Sequence, residues 1–283
     1  MRTKTLGVAI AALGTLVASG QSPTPRRAEN RVAYKAEALD GGADAVRLFY
    51  LTHSETPQEV QEFVNVIRTM TDIQRVFAYA PRRAISLRGT SDQVAVAEWL
   101  FSRLDNPVDA QTAKPAAYEF PGPTGAVDAV RVFYFVHNET PQDLQRMINL
   151  IRTTTDIQRI FPYAARGAIA LRGTSDQMAL AEWLVGRLDK AVITQTNRVE
   201  AYAPPTTSGR RDAVRLFFFA DNETPEDLQQ MINLIRTTTD IQRIFPYAAR
   251  RAIALRGTTD QMALAEWLVG QLETTANQQT RPK

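Results

Sequence analysis

The sequence predicts an α+β protein of three tandem βαββα modules, each a three-stranded sheet with two helices on one face. Two observations lead there. The Asp-Ala-Val-Arg run at Asp44 returns at Asp128 and at Asp212, each time 84 residues on, and Trp99, Trp183 and Trp267 keep the same step, as do the Arg-Gly-Thr triplets at Arg88, Arg172 and Arg256. A period this long signals domains on a string rather than a solenoid of short repeats. Within each period a strand pattern, a capped helix, two short strands and a second capped helix follow in order. Two helices over one face of a sheet is the arrangement that buries their apolar stripes.

The first strand shows period-2 alternation, Val46, Leu48 and Tyr50 against Arg47, Phe49 and Leu51. The first set is assigned to the helix side. Thr56-Pro57-Gln58-Glu59 then supplies an N-cap, a proline for the first helical position and a capping-box acid, and Thr140 to Asp143 and Thr224 to Asp227 repeat it with a shorter acid. Val60, Phe63, Val64 and Ile67 form the stripe of that helix. Short strands are expected near Gln74 to Ala78 and Ala84 to Arg88, joined through Ala80-Pro81-Arg82-Arg83. Thr90-Ser91-Asp92-Gln93 opens the second helix, whose inward positions are Val94, Ala97, Leu100, Phe101 and Leu104.

The modules span 44–105, 128–189 and 212–273, with 106–127 and 190–211 as linkers rich in Pro, Ala, Thr and Gly. As flexible coil, about 22 residues give an end-to-end distance of roughly 25 Å. The pattern leaves open whether neighbouring modules dock. Residues 21–43 and 274–283 are polar and expected to be disordered. Residues 1–20 resemble a secretory signal: Arg2 and Lys4, an apolar run from Leu6 to Ala18, and a small-residue exit at Ala18-Ser19-Gly20. The mature chain is therefore expected in the periplasm or secreted, with no transmembrane segment.

Losing Arg2 and Lys4 lowers the formal charge from +3 to +1, too little for a nucleic-acid footprint. The chain has no cysteine, which removes thiol nucleophiles, disulfides and Cys-based zinc sites. No Gly-x-Ser-x-Gly, phosphate loop or His-Glu-x-x-His pattern occurs, so no enzyme activity and no cofactor are expected. His53 and His137, two residues before Glu55 and Glu139, offer too few ligands for a closed zinc site and read as loop residues ahead of a helix N-terminus. The three tryptophans read as partly buried core. Arg68, Arg75, Arg82, Arg83 and Arg103 read as solvated.

Asp72-Ile73, the run Ala84-Ile85-Ser86-Leu87-Arg88-Gly89-Thr90, then Gln93, Ala97, Leu100 and Leu104-Asp105, with their counterparts at steps of 84, resemble the short periplasmic N-terminal modules of bacterial secretins, which have a KH-like fold. The resemblance covers all three modules. It implies a non-enzymatic module that stacks into rings and contacts proteins of secretion or pilus machinery. Two features depart from that pattern. No barrel-forming segment follows the modules, so the chain is not expected to be a pore, and Pro81-Arg82-Arg83 replaces the asparagine usual before the Gly-Thr strand.

The candidate partner surface is the sheet face turned away from the helices. By the alternation it carries Arg47 and Phe49, Arg131, Phe133 and Phe135, and Arg215, Phe217 and Phe219. Arg88, Arg172 and Arg256 join them, because Ile85 and Leu87 take the inward positions of the third strand. Aromatic and arginine side chains dominate interface hot spots. The competing reading is that a neighbouring module or linker covers this face. The expected function is an exported scaffold or adaptor binding protein partners of the cell envelope, or itself; the alternative is a soluble multivalent binder of an envelope polymer or peptide. The second and third copies differ at six positions between 138–189 and 222–273, so residues shared by those two are shared by descent.

Overall fold

A computed structural model describes residues 31–35, 44–54, 56–106, 116–121, 127–137, 140–190, 197–203, 212–220 and 224–279. The helices begin where the capping chemistry sits. Helix α1 (Pro57–Thr71) starts at Thr56, whose hydroxyl accepts from the Glu59 amide while Glu59 accepts from the Thr56 amide. It ends at Asp72, whose left-handed backbone breaks the helical run. Thr90 and Gln93 cap α2 (Ser91–Leu104) in the same reciprocal way. Each such cap is worth about 1 kcal/mol. The close return of Gln93 also explains the preceding glycine: a Cβ on Gly89 would lie 2.8 Å from Gln93 Oε1 and 2.9 Å from Ile73 Cγ1.

The first repeat comprises β1 (Arg31–Lys35), β2 (Asp44–Tyr50), α1, β3 (Arg75–Tyr79), β4 (Ala84–Thr90) and α2. The second comprises β5 (Ala116–Pro121), β6 (Val127–Tyr134), α3 (Pro141–Thr155), β7 (Arg159–Tyr163), β8 (Ala168–Thr174) and α4 (Ser175–Leu188). The third comprises β9 (Arg198–Ala201), β10 (Ala213–Phe218), α5 (Pro225–Thr239), β11 (Arg243–Tyr247), β12 (Ala252–Gly257) and α6 (Thr259–Gln279). The α+β fold is as the pattern predicts, but each antiparallel sheet has four strands, in the order β1-β2-β4-β3 and its equivalents. The fourth strand comes from the segments read as linkers and as N-terminal disorder. In β5, Tyr118 pairs opposite Val130 and the strand closes at Pro121, which an edge strand tolerates. The last helix likewise runs past residue 273 into the expected disordered tail. The signal-like residues 1–20 lie outside the described residues.

The facing of the first strand is reversed. Phe49 and Leu51, not Leu48 and Tyr50, point at the helices: Phe49 stacks on Phe101 at 4.7 Å, and Phe63 meets Phe101 edge-on at 5.8 Å. The helix stripes themselves are as predicted, with Val60, Phe63, Val64, Ile67, Val94, Ala97, Leu100, Phe101 and Leu104 all buried. Register places Val46 opposite Arg88, so Val46, Leu48 and Tyr50 share the far face with that arginine.

That far face is covered in two of the three repeats. Val130, Val132, Tyr134, Tyr163, Ala168 and Ala170 of the second sheet join Phe63, Val66 and Met70 of α1 in one core. Val214, Leu216, Phe218, Tyr247, Ala252 and Ala254 join Met147 and Leu150 of α3 in the next. Helices α1 and α3, the first helices of the first and second repeats, are thus apolar toward their own sheet and toward the following one. A sheet covered on both faces has no polar side, so alternation cannot reveal which side faces its own helices. The repeats dock as a stack.

Candidate functional site

Eight of the eleven candidate residues lie on the helix side of their own sheets. Phe49, Phe133, Phe135, Phe217 and Phe219 are buried in module cores. Arg47, Arg131 and Arg215 reach Glu98, Glu182 and Glu266 on the second helix of their own repeat. The assignment of these eight to an outward surface is therefore corrected. Arg88, Arg172 and Arg256 do lie on the far face. Two of them close the junctions between repeats.

Arg172 is the centre of the first junction. Its Nη1 donates to Met70 O at 3.0 Å and to Asp72 Oδ2 at 2.8 Å, its Nε donates to Asp128 Oδ2 at 3.1 Å, and its guanidinium lies 4.6 Å above the Phe120 ring. Arg159 adds a second donor to Asp72. The second junction repeats this: Arg256 binds Thr154 O at 2.9 Å, Asp156 Oδ2 at 2.6 Å and Asp212 Oδ2 at 3.0 Å, and Arg243 reaches Asp156 at 3.0 Å. A cation at a helix C-terminus meets the negative end of its dipole. Burial pushes the Asp156 carboxyl upward, but the hydrogen bonds and charges of Arg256 and Arg243 outweigh it and hold the group below its ordinary range.

Tyrosines complete the first junction. Tyr163 sets its ring edge-on to Phe63 and its hydroxyl 2.9 Å from Ser54 Oγ, while Tyr134 donates to Arg103 O. Burial pushes both phenols up to about 12. Arg166 donates to His53 O, and Arg250, its counterpart in the third repeat, donates to Leu188 O. Counterparts of Arg82, read as solvated, are therefore junction residues in later copies. The linker strands lie across the same joints, with Tyr118 against Trp99 at 6.0 Å and Tyr202 against Trp183 at 5.5 Å. Trp99 and Trp183 are half-buried as expected, but Trp267 is 60 % exposed, which corrects the core reading for the third copy.

Among the described residues, no other repeat covers the same face of the first repeat. Val46, Leu48, Ser86 and Arg88 are half-buried, and Tyr50, Tyr79 and Phe77 are exposed, Phe77 by 69 %. Val46, Phe77, Ser86 and Arg88 line a shallow concavity with Gln74 and Arg75, and register sets Leu48, Tyr50 and Tyr79 on the same face. Its aromatic residues were missed because Tyr50 was assigned inward; the signal was the 84-residue alignment of Tyr79 with Tyr163 and Tyr247. His53 offers its ring to the Asp105 carbonyl and its amide to that carboxylate, anchoring the loop to the end of α2. Glu55 and Glu139 lie outside the described residues, and among those described no group of three His, Asp or Glu is placed to hold a metal. No described helix is long and apolar enough to cross a membrane. Comparison with known proteins finds no matching family model and no matching curated relative.

Proposed function

We propose that the chain is an exported, non-enzymatic scaffold or adaptor whose partners are proteins of the cell envelope, with secretion or pilus machinery as the leading class. The observation that carries this reading is the sheet face of the first repeat, which no other described repeat covers, at the end of a stacked array. By strand register it carries Tyr50, Phe77 and Tyr79 on the same face as Arg75 and Arg88, a composition enriched at interface hot spots. Export rests on the charged and apolar character of residues 1–20, and the partner class on the resemblance to secretin modules. The alternative of three equivalent weak sites for a polymer loses support, because two of the three equivalent faces are buried in junctions.

The test compares capture from envelope extract by the full chain and by Phe77→Ser. Recovery of secretion or pilus components that the variant loses supports the adaptor reading. Enrichment of glycan by both proteins equally would overturn it.

A further inference from the structure

Beyond the internal joints, the three described repeats present the two halves of that same joint at opposite ends of the array. At one end is the first-repeat sheet face; at the other is the helix face of the third repeat. Leu150 and Thr154 of α3 are buried by the following sheet, yet Leu234 is only half-buried and Thr238 is exposed at the same positions of α5. Val96 and Leu180 are fully buried, whereas Leu264 is 38 % exposed. Of nine large hydrophobic residues exposed among the described residues, Tyr50, Phe77 and Tyr79 lie at the first end and Leu264, Trp267 and Leu272 at the other.

We propose that copies of this chain dock head to tail, with the α5 face of one copy seated on the first-repeat sheet face of the next. This rests on the scaffold reading and names the partner of that face as a second copy. The aspartate, arginine and tyrosine positions of the existing joints have counterparts at the ends. Asp240 caps α5 in the same left-handed conformation as Asp72 and Asp156, and Arg88 and Arg75 stand where Arg172 and Arg159 bind Asp72. Tyr34 of β1 pairs opposite Val46, as Tyr118 pairs opposite Val130. A second copy therefore brings a tyrosine position to Trp267, as Tyr118 serves Trp99 and Tyr202 serves Trp183.

The helix half of the new joint, Met231, Leu234 and Thr238, has the same residues as the helix half of the second internal joint, Met147, Leu150 and Thr154. On the sheet half, Ser86 replaces Ala170 and Ala254, so a hydroxyl enters where the internal joints are apolar. With that change, and without a connecting strand to raise the effective concentration, the contact between copies is weaker than the internal ones and reversible. The two surfaces differ, so the association is heterologous and runs on into a filament unless its rotation closes a ring.

Sedimentation velocity on the full chain should show concentration-dependent multiples of 31.5 kDa. Leu234→Asp blocks only the helix end and Tyr79→Asp only the sheet end, so each alone should be monomeric. Mixed, they should form one heterodimer through the remaining intact ends. Asp240→Asn, at an exposed cap that asparagine tolerates, should weaken assembly about tenfold and covers the case in which Leu234→Asp does not fold. A wild-type chain that stays monomeric to its solubility limit, assembly retained by either Asp variant, or a mixture that stays monomeric overturns the proposal. Envelope capture separates the two readings. A monomeric chain that still captures secretion or pilus components leaves the adaptor standing without self-docking, and a chain that assembles but captures none leaves self-docking standing without an envelope partner.

Discussion

At the scale of the residue, Arg172 shows how one side chain joins two repeats. It is 5 % exposed and neutralises Asp128 of its own sheet together with Asp72 of the previous helix. Arg172→Met keeps most of the stem but leaves two carboxylates and the Met70 carbonyl without it. Because Asp72 is partly solvated, the expected loss in urea unfolding is about 2 kcal/mol rather than the larger figure for a fully buried pair. Arg172→Lys should recover less than half, since a single ammonium lacks the fork that spans these acceptors. Asp156 sets the acid limit of the second joint. Folding lowers its pKa from the ordinary 3.8, so its carboxylate stabilises the fold above that value, and the contribution is lost as pH falls through the lower folded value. Below about pH 4, Asp156→Asn should flatten the pH dependence of unfolding, measured by denaturation at stepped pH. The outward placement of the Arg88 series was legible because Ile85 and Leu87 claim the inward positions. The phenylalanines were misread because their neighbours on the opposite face are equally apolar.

At the scale of the element, the turn between β3 and β4, with its equivalents between β7 and β8 and between β11 and β12, contains its own control. Arg83 and Arg251 hold left-handed backbones at φ 47° and 43°, while the second copy has Gly167 at φ 55°. In every copy the carbonyl of this residue accepts from the strand end, from Leu51, Phe135 or Phe219. The conformation is therefore required whatever side chain is present. Arg83→Gly and Arg251→Gly should each stabilise by about 0.5–1 kcal/mol, and Gly167→Arg should cost a similar amount, read from thermal unfolding. A Cβ at Gly167 meets only the Phe135 oxygen at an ordinary 3.6 Å, so the cost is conformational rather than steric. Helices were the most legible elements, since Thr56 and Thr90 advertise their starts and the stripes their inner faces. Strands β5 and β9 were not, because their segments look like proline-rich linkers until a neighbouring sheet edge gives their amides partners.

At the scale of the whole molecule, the long period announced three copies but not their docking. Val66 lies off the stripe that packs α1 on its own sheet, and the second sheet, which shares its core, accounts for its burial. Nearest-neighbour coupling of this kind should make unfolding cooperative across repeats. The central repeat is covered on both sides, so hydrogen exchange should be slowest in β6 and β8. In the outer repeats, β4 and α5 should exchange faster. Tyr163→Ala, which removes a ring buried between Phe63 and Ser54, should split the transition into two without abolishing either, as seen by calorimetry.

Strand β5 belongs to the sheet that follows it, while its Tyr118 packs on the helix that precedes it. The heritable unit is accordingly a joint rather than a bead. A gene that gains or loses 84 codons at any phase gains or loses one whole joint. The length of the array is thus free to vary without any new interface having to be invented.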